Sequence, residues 1–397
     1  MSAKRPGLNT RLSHAGRAGT HAHGFVNPPL ARGSTVLYPS SAERRRLAAK
    51  RMEQELLYGV MGGPNHFALE DVLAEIEGGT RCQIVSSGLA AVTTALLAFL
   101  GAGDHCLFPD SVYGPTRLFA NTMLKRLGVE SEFYPPEIDA AGLAAHLRPA
   151  TRVLFLESPG SHTFEMQDVP ALAAAARARG VTVLMDNTWG IHFFQPFAHG
   201  VEVSIQALTK YAGGHSDIAL GAITTDDAGH FERVRNAVLA LGQYASPDDC
   251  WLALRGVRTM GVRLARQMDS GIAVAEWLRR QPEVKEVLHP ALAGARGHAL
   301  WRRDYRGACS LFGVVFQPRF PVAATEAMVD ALELFGIGAS WGGYESLALP
   351  SALSITRTAG TGDFGGPLVR LHIGLEDPGD LIADLDRGLA VLREFPP

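Results

Sequence analysis

Lys210 is placed where a lysine is unfavourable. It stands in LTKYAGGHSD, residues 208–217, directly after the alternating stretch VEVSIQA, whose apolar residues read as a buried strand. A long cationic side chain there either snorkels back to water or has been withdrawn from water because its amine is used. Other polar residues end apolar runs in the same way. VLMDNTW closes with Asp186, either a surface cap or the counter-charge of a buried cation, and FLESPGS places Glu157 and Ser158 before a turn of Pro159 and Gly160. IVSSGLAAV passes into a helical stretch through Ser86, Ser87 and Gly88. That is either a serine-capped turn or a cup of free backbone N–H groups at a positive helix end, suited to phosphate. DSVYGPT, after the strand-like HCLFP, offers Tyr113, a ring able to stack on a flat ligand or simply to sit partly buried.

One cofactor accounts for these features together. Pyridoxal phosphate needs an amine to condense with its aldehyde, a carboxylate to keep its ring nitrogen protonated, a phosphate cup and a flat group over the ring. Lys210, Asp186, the turn after Ser87, and Tyr113 are the candidates.

The elements that would position them alternate. From residue 65, NHFALEDVLAEIEGG has helical spacing with Asn65 as its cap, and short apolar runs then alternate with helical stretches as far as VEVSIQA. That order predicts an α/β fold with a parallel sheet, and the composition of VLFL and VTVLM predicts strands buried on both faces. In such sheets ligands bind beyond the carboxyl ends of the strands, where these polar residues fall. A long helical region from Pro247 to Arg280 leads to a differently patterned part, with CSLFGVVFQ and LVRLHIGLE as strands, VAATEAMVDALELFG between them and a proline- and aspartate-capped terminal helix. The expected division is an arm with a short basic helix over 1–60, a large cofactor-binding domain over 61–258 and a smaller α/β domain over 259–397. The arm's Phe25, Val26, Leu30, Val36 and Leu37 have little of their own to pack on, so it is expected to cross another subunit.

Composition removes several other functions. Lys plus Arg is 37 and Asp plus Glu is 40, a formal net charge of −3 that offers no general attraction to nucleic acid or an anionic membrane. The basic run RRRLAAKRMEQE from Arg44 carries its own acids and reads as a solvated helix. MSAKRPGLNTRLSHAGR lacks an apolar signal core and no 18-residue apolar span follows, so the expected address is the cytoplasm. Cys82, Cys106, Cys250 and Cys309 are far apart without metal-ligand spacing and read as buried thiols, and His14, His21 and His23 have no carboxylate cluster beside them, so no metal is expected.

The motifs LLYGVMGGPNHFALE, FLESPGS, MDNTWG, IQALTKYAGGHSD, GVRTMGVRL, SWGGYESL and VRLHIGLED occur in order along most of the chain. In this combination the sequence resembles the cysteine and methionine metabolism family of pyridoxal-phosphate enzymes, and within it the bacterial cystathionine beta-lyases. The resemblance implies the aspartate-aminotransferase-like fold (fold type I). It implies that Lys210 carries the cofactor, Asp186 pairs with the ring nitrogen, Tyr113 stacks on the ring, and Gly88, Leu89 and Thr209 hold the phosphate. It places Arg370 on the substrate carboxylate, Ser340 and Trp341, with Ser158, along the substrate side, and Tyr58 as a residue reaching in from the neighbouring subunit of a dimer, two of which make the usual tetramer.

The reaction so implied is β-elimination from a sulfur amino acid in methionine biosynthesis, L-cystathionine giving homocysteine, pyruvate and ammonia, with Lys210 as the base at Cα. γ-Elimination or γ-replacement, racemisation or transamination as a side reaction, and a non-catalytic binding role are the alternatives. Two residues depart from the resemblance. Val60 replaces an arginine that would grip the cofactor phosphate from the neighbouring subunit, which is expected to weaken retention unless another arginine moves in. Ala339 replaces a tyrosine before SWGG, which is expected to enlarge that part of the pocket. His215 and His372 are expected to support the site.

Overall fold

The computed structural model describes residues 6–17, 24–351, 354–360 and 362–395; His21 and His23 lie outside them. Its larger sheet is built from β1 (Arg81–Val85), β2 (His105–Pro109), β3 (Glu130–Tyr134), β4 (Thr151–Glu157), β5 (Thr182–Asp186), β6 (Val203–Ala207) and β7 (Gly221–Thr225), in the order β1-β7-β6-β5-β4-β2-β3. All run the same way except β7, which pairs antiparallel with both β1 and β6. Strand alternation sends Leu154, Leu156, Val183 and Met185 to one face and Val153, Phe155 and Leu184 to the other, each into its own apolar core. Helices Pro64–Glu77, Val169–Arg177 and Pro247–Leu278 cover the first face, and Gly88–Phe99 and Ala228–Ala240 the second. This is why the runs VLFL of β4 and VLM of β5 are apolar throughout rather than alternating.

The smaller sheet contains β8 (Val284–Leu288), β9 (Leu311–Phe316), β10 (Gly336–Ile337), β11 (Leu347–Pro350) and β12 (Leu368–His372), in the order β10-β11-β12-β9-β8. Its core is completed by helices Val322–Asp330 and Pro378–Arg393. The 32-residue helix Pro247–Leu278 joins the two layers. Met260 and Leu264 pack in the first core, and Val274, Ala275 and Leu278 in the second, so residue 259 lies inside a continuous helix.

Local features differ from expectation where a side chain found a better partner. Asn65 does not cap its helix, which begins at Pro64 after Gly63. Instead Asn65 Oδ1 accepts from the Ala31 N–H at 2.8 Å and its Nδ2 donates to the Pro29 carbonyl at 3.1 Å, tying the arm to its own chain. Beyond that tie Phe25, Val26 and Leu37 stay exposed, Leu37 by 90%. Asp377 makes no cap bond for the terminal helix; it pairs with Arg266 at 2.8 Å. GPTRLFANTMLKRLG is not one regular helix, since Gly114–Phe119 runs into a π turn at Ala120–Leu124. All four cysteines are buried free thiols, and among the described residues no helix is long and apolar enough to cross a membrane.

Candidate active site

The carboxyl ends of β4, β5 and β6 open into a cavity of about 270 Å³ whose far wall comes from the smaller sheet. Lys210 enters from the loop after β6, where its N–H bonds the Ala207 carbonyl at 3.1 Å and its own carbonyl accepts from Gly214 at 2.8 Å. Arg263, on the long helix, donates to the Tyr211 carbonyl at 2.9 Å and braces this loop from below. The Lys210 amine donates to Ser340 Oγ at 2.8 Å and lies 5.2 Å from the centre of the Trp341 ring. Burial, and then the charge of Arg370, lower its pKa to about 8, with Asp186 pulling the other way. An amine in that state is available unprotonated near neutral pH.

Two acids stand side by side beneath it. Glu157 and Asp186 end adjacent parallel strands in direct register. Asp186 accepts the Thr188 N–H at 3.0 Å, while burial raises its carboxyl above the usual range. Glu157 accepts the Tyr113 N–H at 2.8 Å, and burial followed by the nearby Asp186 charge raises its carboxyl well above that range. Adjacent buried carboxylates do not both ionise cheaply, and the neutral form is favoured more strongly at Glu157 than at Asp186. Tyr113 begins its helix with a half-exposed ring over the same cleft.

At the other end, Ser87 and Gly88 close the turn into helix Gly88–Phe99. Ser87 Oγ accepts from the Ala90 N–H at 3.0 Å, so the serine does cap the helix, and the first-turn amides of Gly88 and Leu89 remain for an anion. Only glycine fits at 88, because a Cβ there would lie 2.6 Å from that of Ala207. Thr209 lines this end, its hydroxyl also engaged with the backbone of Leu220. Among the described residues, the arginine and lysine lining the cleft are Arg370 and Lys210. Tyr58 and Val60 are surface residues, 49% and 39% exposed, away from their own chain's cleft. Their segment is held by buried Arg235, which donates to the Met61 carbonyl at 2.7 Å.

Arg370 reaches the cleft from β12 and is only 7% exposed. Its hydrogen bonds go to carbonyls, those of Ala339 at 2.7 Å and Ser340 at 3.3 Å, and burial lowers its pKa to about 10. A buried guanidinium satisfied only by carbonyls is prepared for a carboxylate. His372 packs behind it, accepting the Gly342 N–H at 3.1 Å, with burial holding its pKa near 4. His215 bonds the Gly213 carbonyl at 2.8 Å.

Ser158, expected along the substrate side, is turned away: its hydroxyl accepts the Gln167 N–H at 3.0 Å and contacts Met166 Sδ. The alternation that aims Glu157 into the cleft aims its neighbour out. Ser161, His162 and Trp189 line the cleft and were not anticipated. The backbone turn that brings His162 in, with φ of 64°, has no mark in residue type beyond the tolerance of histidine for that region. Elsewhere Glu202, Asp226 and His230 bring three ligand-type atoms within 4.8 Å of one another, but His230 already pairs with Asp226 at 2.7 Å and Glu202 with the Val183 N–H at 2.9 Å.

The profile of the Cys/Met metabolism PLP-dependent enzyme family matches residues 9–390. The chain belongs to this family. A cystathionine beta-lyase of Bordetella avium is 44% identical over 392 residues, 96% of this chain and 97% of that protein. The Escherichia coli cystathionine beta-lyase is 41% identical over 389 residues, 96% of this chain and 98% of that protein. The crystal structure of metB from Corynebacterium glutamicum superposes with a TM-score of 0.90 at 28% identity, covering 99% of this chain and all of that one. The cofactor of a Cys/Met metabolism enzyme is pyridoxal phosphate, and the residues present fit it. Lys210 offers an amine of lowered pKa, Asp186 a carboxyl group for a ring nitrogen, Tyr113 a ring face, and Gly88 and Leu89 amides for a phosphate.

Proposed function

We propose that this enzyme cleaves the Cβ–S bond of a sulfur amino acid by β-elimination, L-cystathionine and water giving homocysteine, pyruvate and ammonia. The observation that carries the reading is one cleft holding a depressed amine, Lys210, and a carbonyl-satisfied guanidinium, Arg370, joined through Ser340. Relatives at 41% and 44% identity bear the cystathionine beta-lyase name, which supports this chemistry over γ-elimination or γ-replacement.

Pyridoxal phosphate, held through Lys210, supplies a conjugated ring that withdraws the electron pair left at Cα. Arg370 pairs with the substrate carboxylate and fixes the amino acid beside Lys210. Ser340 and Trp341 border the amine on that side, and Ser340 Oγ keeps it oriented while free. The released Lys210 amine takes the Cα proton, and its lowered pKa makes it a base at working pH. Asp186 holds the positive charge of a protonated ring nitrogen in place. Loss of the Cα proton and of the thiolate leaves an enamine that water converts to pyruvate and ammonia.

The division proposed is an arm over 1–60, a cofactor domain over 61–258 and a small domain over 259–397, in a cytoplasmic homo-oligomer whose paired subunits exchange Tyr58, two such pairs forming a tetramer. Product analysis with L-cystathionine tests the reaction. Pyruvate with homocysteine supports it, 2-oxobutyrate with cysteine replaces it with γ-elimination, and neither product from cofactor-saturated enzyme rules out cystathionine.

A further inference from the structure

Strand β12 grips the segment that borders the Lys210 amine at two points. Arg370 donates to the carbonyls of Ala339 and Ser340, and His372, two residues on and on the same face of the strand, accepts the Gly342 N–H at Nε2, 3.1 Å away. A backbone N–H only donates, so Nε2 is the ring nitrogen without a hydrogen and Nδ1 carries it. The Gly343 carbonyl, 3.3 Å from the same Nε2, takes its hydrogen bond from Gln267 Nε2 at 2.7 Å. On the other side of the ring Nδ1–H donates to Ser310 Oγ at 3.3 Å, and the serine hydroxyl donates to the Ile373 carbonyl at 2.6 Å. The ring is buried, packs edge-on against Tyr211 with 6.0 Å between centroids, and does not line the cleft.

What the ring holds lies against Lys210. Gly342 has φ of 91°, and a Cβ there would lie 2.9 Å from the Lys210 carbonyl carbon and the Tyr211 nitrogen, so its backbone touches the peptide that follows the lysine. Two residues earlier, Ser340 Oγ accepts from the Lys210 amine at 2.8 Å. We infer that His372 is a positioning residue: by accepting the Gly342 amide it holds residues 339–342 on the Lys210 loop, and so fixes the span between the Lys210 amine and the Arg370 guanidinium. This rests on the reading that Arg370 holds the substrate carboxylate beside Lys210. Without the acceptor the buried Gly342 N–H is left unpaired, and the segment moves to find a partner, carrying Ser340 with it.

The test is spectral titration of the holoenzyme with glycine and with methylamine. Both condense with the cofactor aldehyde through an amine, and only glycine brings a carboxylate for Arg370. His372→Leu removes the acceptor, His372→Gln returns one near the Nε2 position, and Ser310→Ala keeps the ring but removes the group that fixes its tautomer. His372→Leu is expected to weaken glycine binding roughly ten- to a hundredfold and methylamine binding less than about threefold, the scale of loss when a binding group is misplaced. His372→Gln is expected to return glycine binding to within about threefold of the unaltered enzyme, with Ser310→Ala between the two. A merely structural role lowers the thermal transition without changing the ratio of the two affinities. Equal losses on both probes, no loss on either, or a glutamine variant as weak as the leucine one overturn the role of His372 and leave that of Arg370 standing. If His372→Leu does not fold, Ser310→Ala decides: a selective loss of glycine binding supports the inference and an unchanged ratio overturns it. Glycine binding no tighter than methylamine binding in the unaltered holoenzyme overturns the Arg370 reading and this inference together.

Discussion

Lys210 and Arg370 are tied to the same residue: the Lys210 amine donates to Ser340 Oγ at 2.8 Å, and the Arg370 guanidinium donates to the Ser340 carbonyl at 3.3 Å and the Ala339 carbonyl at 2.7 Å. One comes from the larger sheet and the other from the smaller, so the segment around Ser340 sets the spacing between the amine that does the chemistry and the charge that holds the substrate. The coupling is also electrostatic, since Arg370 is the largest cause after burial of the lowered Lys210 pKa.

The rate at which pyridoxal phosphate attaches to apoprotein is therefore expected to rise with pH, half-maximal near pH 8 instead of near the ordinary lysine value of 10.5, because only the neutral amine attacks an aldehyde. Stopped-flow growth of the cofactor band measures it. Arg370→Met should move the midpoint upward by removing a neighbouring positive charge, and an unmoved midpoint would assign the whole effect to burial. Stability follows the same sign. Between pH of about 8 and 10.5 the unfolded chain holds a proton that the folded one has released, so Lys210 makes apoprotein stability increase with pH over that window.

Borohydride reduction of the holoenzyme followed by peptide mapping is expected to leave the reduced cofactor on Lys210. Lys50, Lys125 and Lys285 provide the control, since a label on any of them would move the site. Lys210→Ala should lose colour and turnover while keeping its thermal transition, because the amine projects into a cavity and not into a packed core.

Arg370→Ala is expected to lower kcat/KM by roughly one and a half to over three powers of ten, the effect of about 2 to 5 kcal/mol for removing one member of a desolvated charge pair. Arg370→Lys should recover only part, since a lysine cannot reproduce the planar two-point pairing. A loss under about threefold for the alanine variant, with the cofactor spectrum intact, would assign the carboxylate to another group.

How far the site could be read from sequence depended on the scale of each feature. Asp186, Glu157 and Lys210 were visible because each interrupts or follows an apolar run long enough to define a strand, and a parallel strand fixes which end faces the ligand. Strands β10 and β11 were not visible: two and four residues give too few alternations to define a period. Asn65 is not the cap because Pro64 occupies the first helical position and puts the cap at Gly63, two residues earlier. Ser158 follows Glu157 by one residue, and the same alternation that brought one in turned the other out. His162 depends on a backbone torsion, which residue type constrains only weakly.

Complementation between chains tests the proposed exchange of Tyr58. Its side chain is half-exposed and does not line its own cleft, and Leu56 and Leu37 of the same arm are exposed as well. Tyr58→Ala and Lys210→Ala should each be inactive alone and regain activity when mixed and reassembled, up to about a quarter of the unaltered level if pairing is random and one rebuilt site forms per mixed dimer. No recovery from verified mixed oligomers, or an active monomer at working concentration, would show that each cleft is complete within one chain.

Val60 gives the last prediction. The phosphate end of the cleft offers the amides of Gly88 and Leu89 and the Thr209 hydroxyl, but Lys210 and Arg370, its lining lysine and arginine, are assigned to the aldehyde and to the substrate. Arg235, which holds the Val60 segment, is committed to the Met61 carbonyl at 2.7 Å and Gln83 Oε1 at 2.6 Å, so turning it toward a phosphate would break both hydrogen bonds. If the neighbouring chain presents Val60 to that end, the dianion is held by helix amides without a guanidinium. Val60→Arg is then expected to tighten cofactor binding by about 1.5 to 3 kcal/mol, the scale of one hydrogen bond to a charged group. Equilibrium dialysis of apoprotein against pyridoxal phosphate reads the change. It should be larger at low ionic strength, because a partly exposed charge pair is screened by salt. Tight binding by the unaltered protein with no gain from arginine would mean that a basic group from the neighbouring chain already reaches the phosphate, and Arg32 and Arg44 on the arm and its short helix would be the residues to replace next.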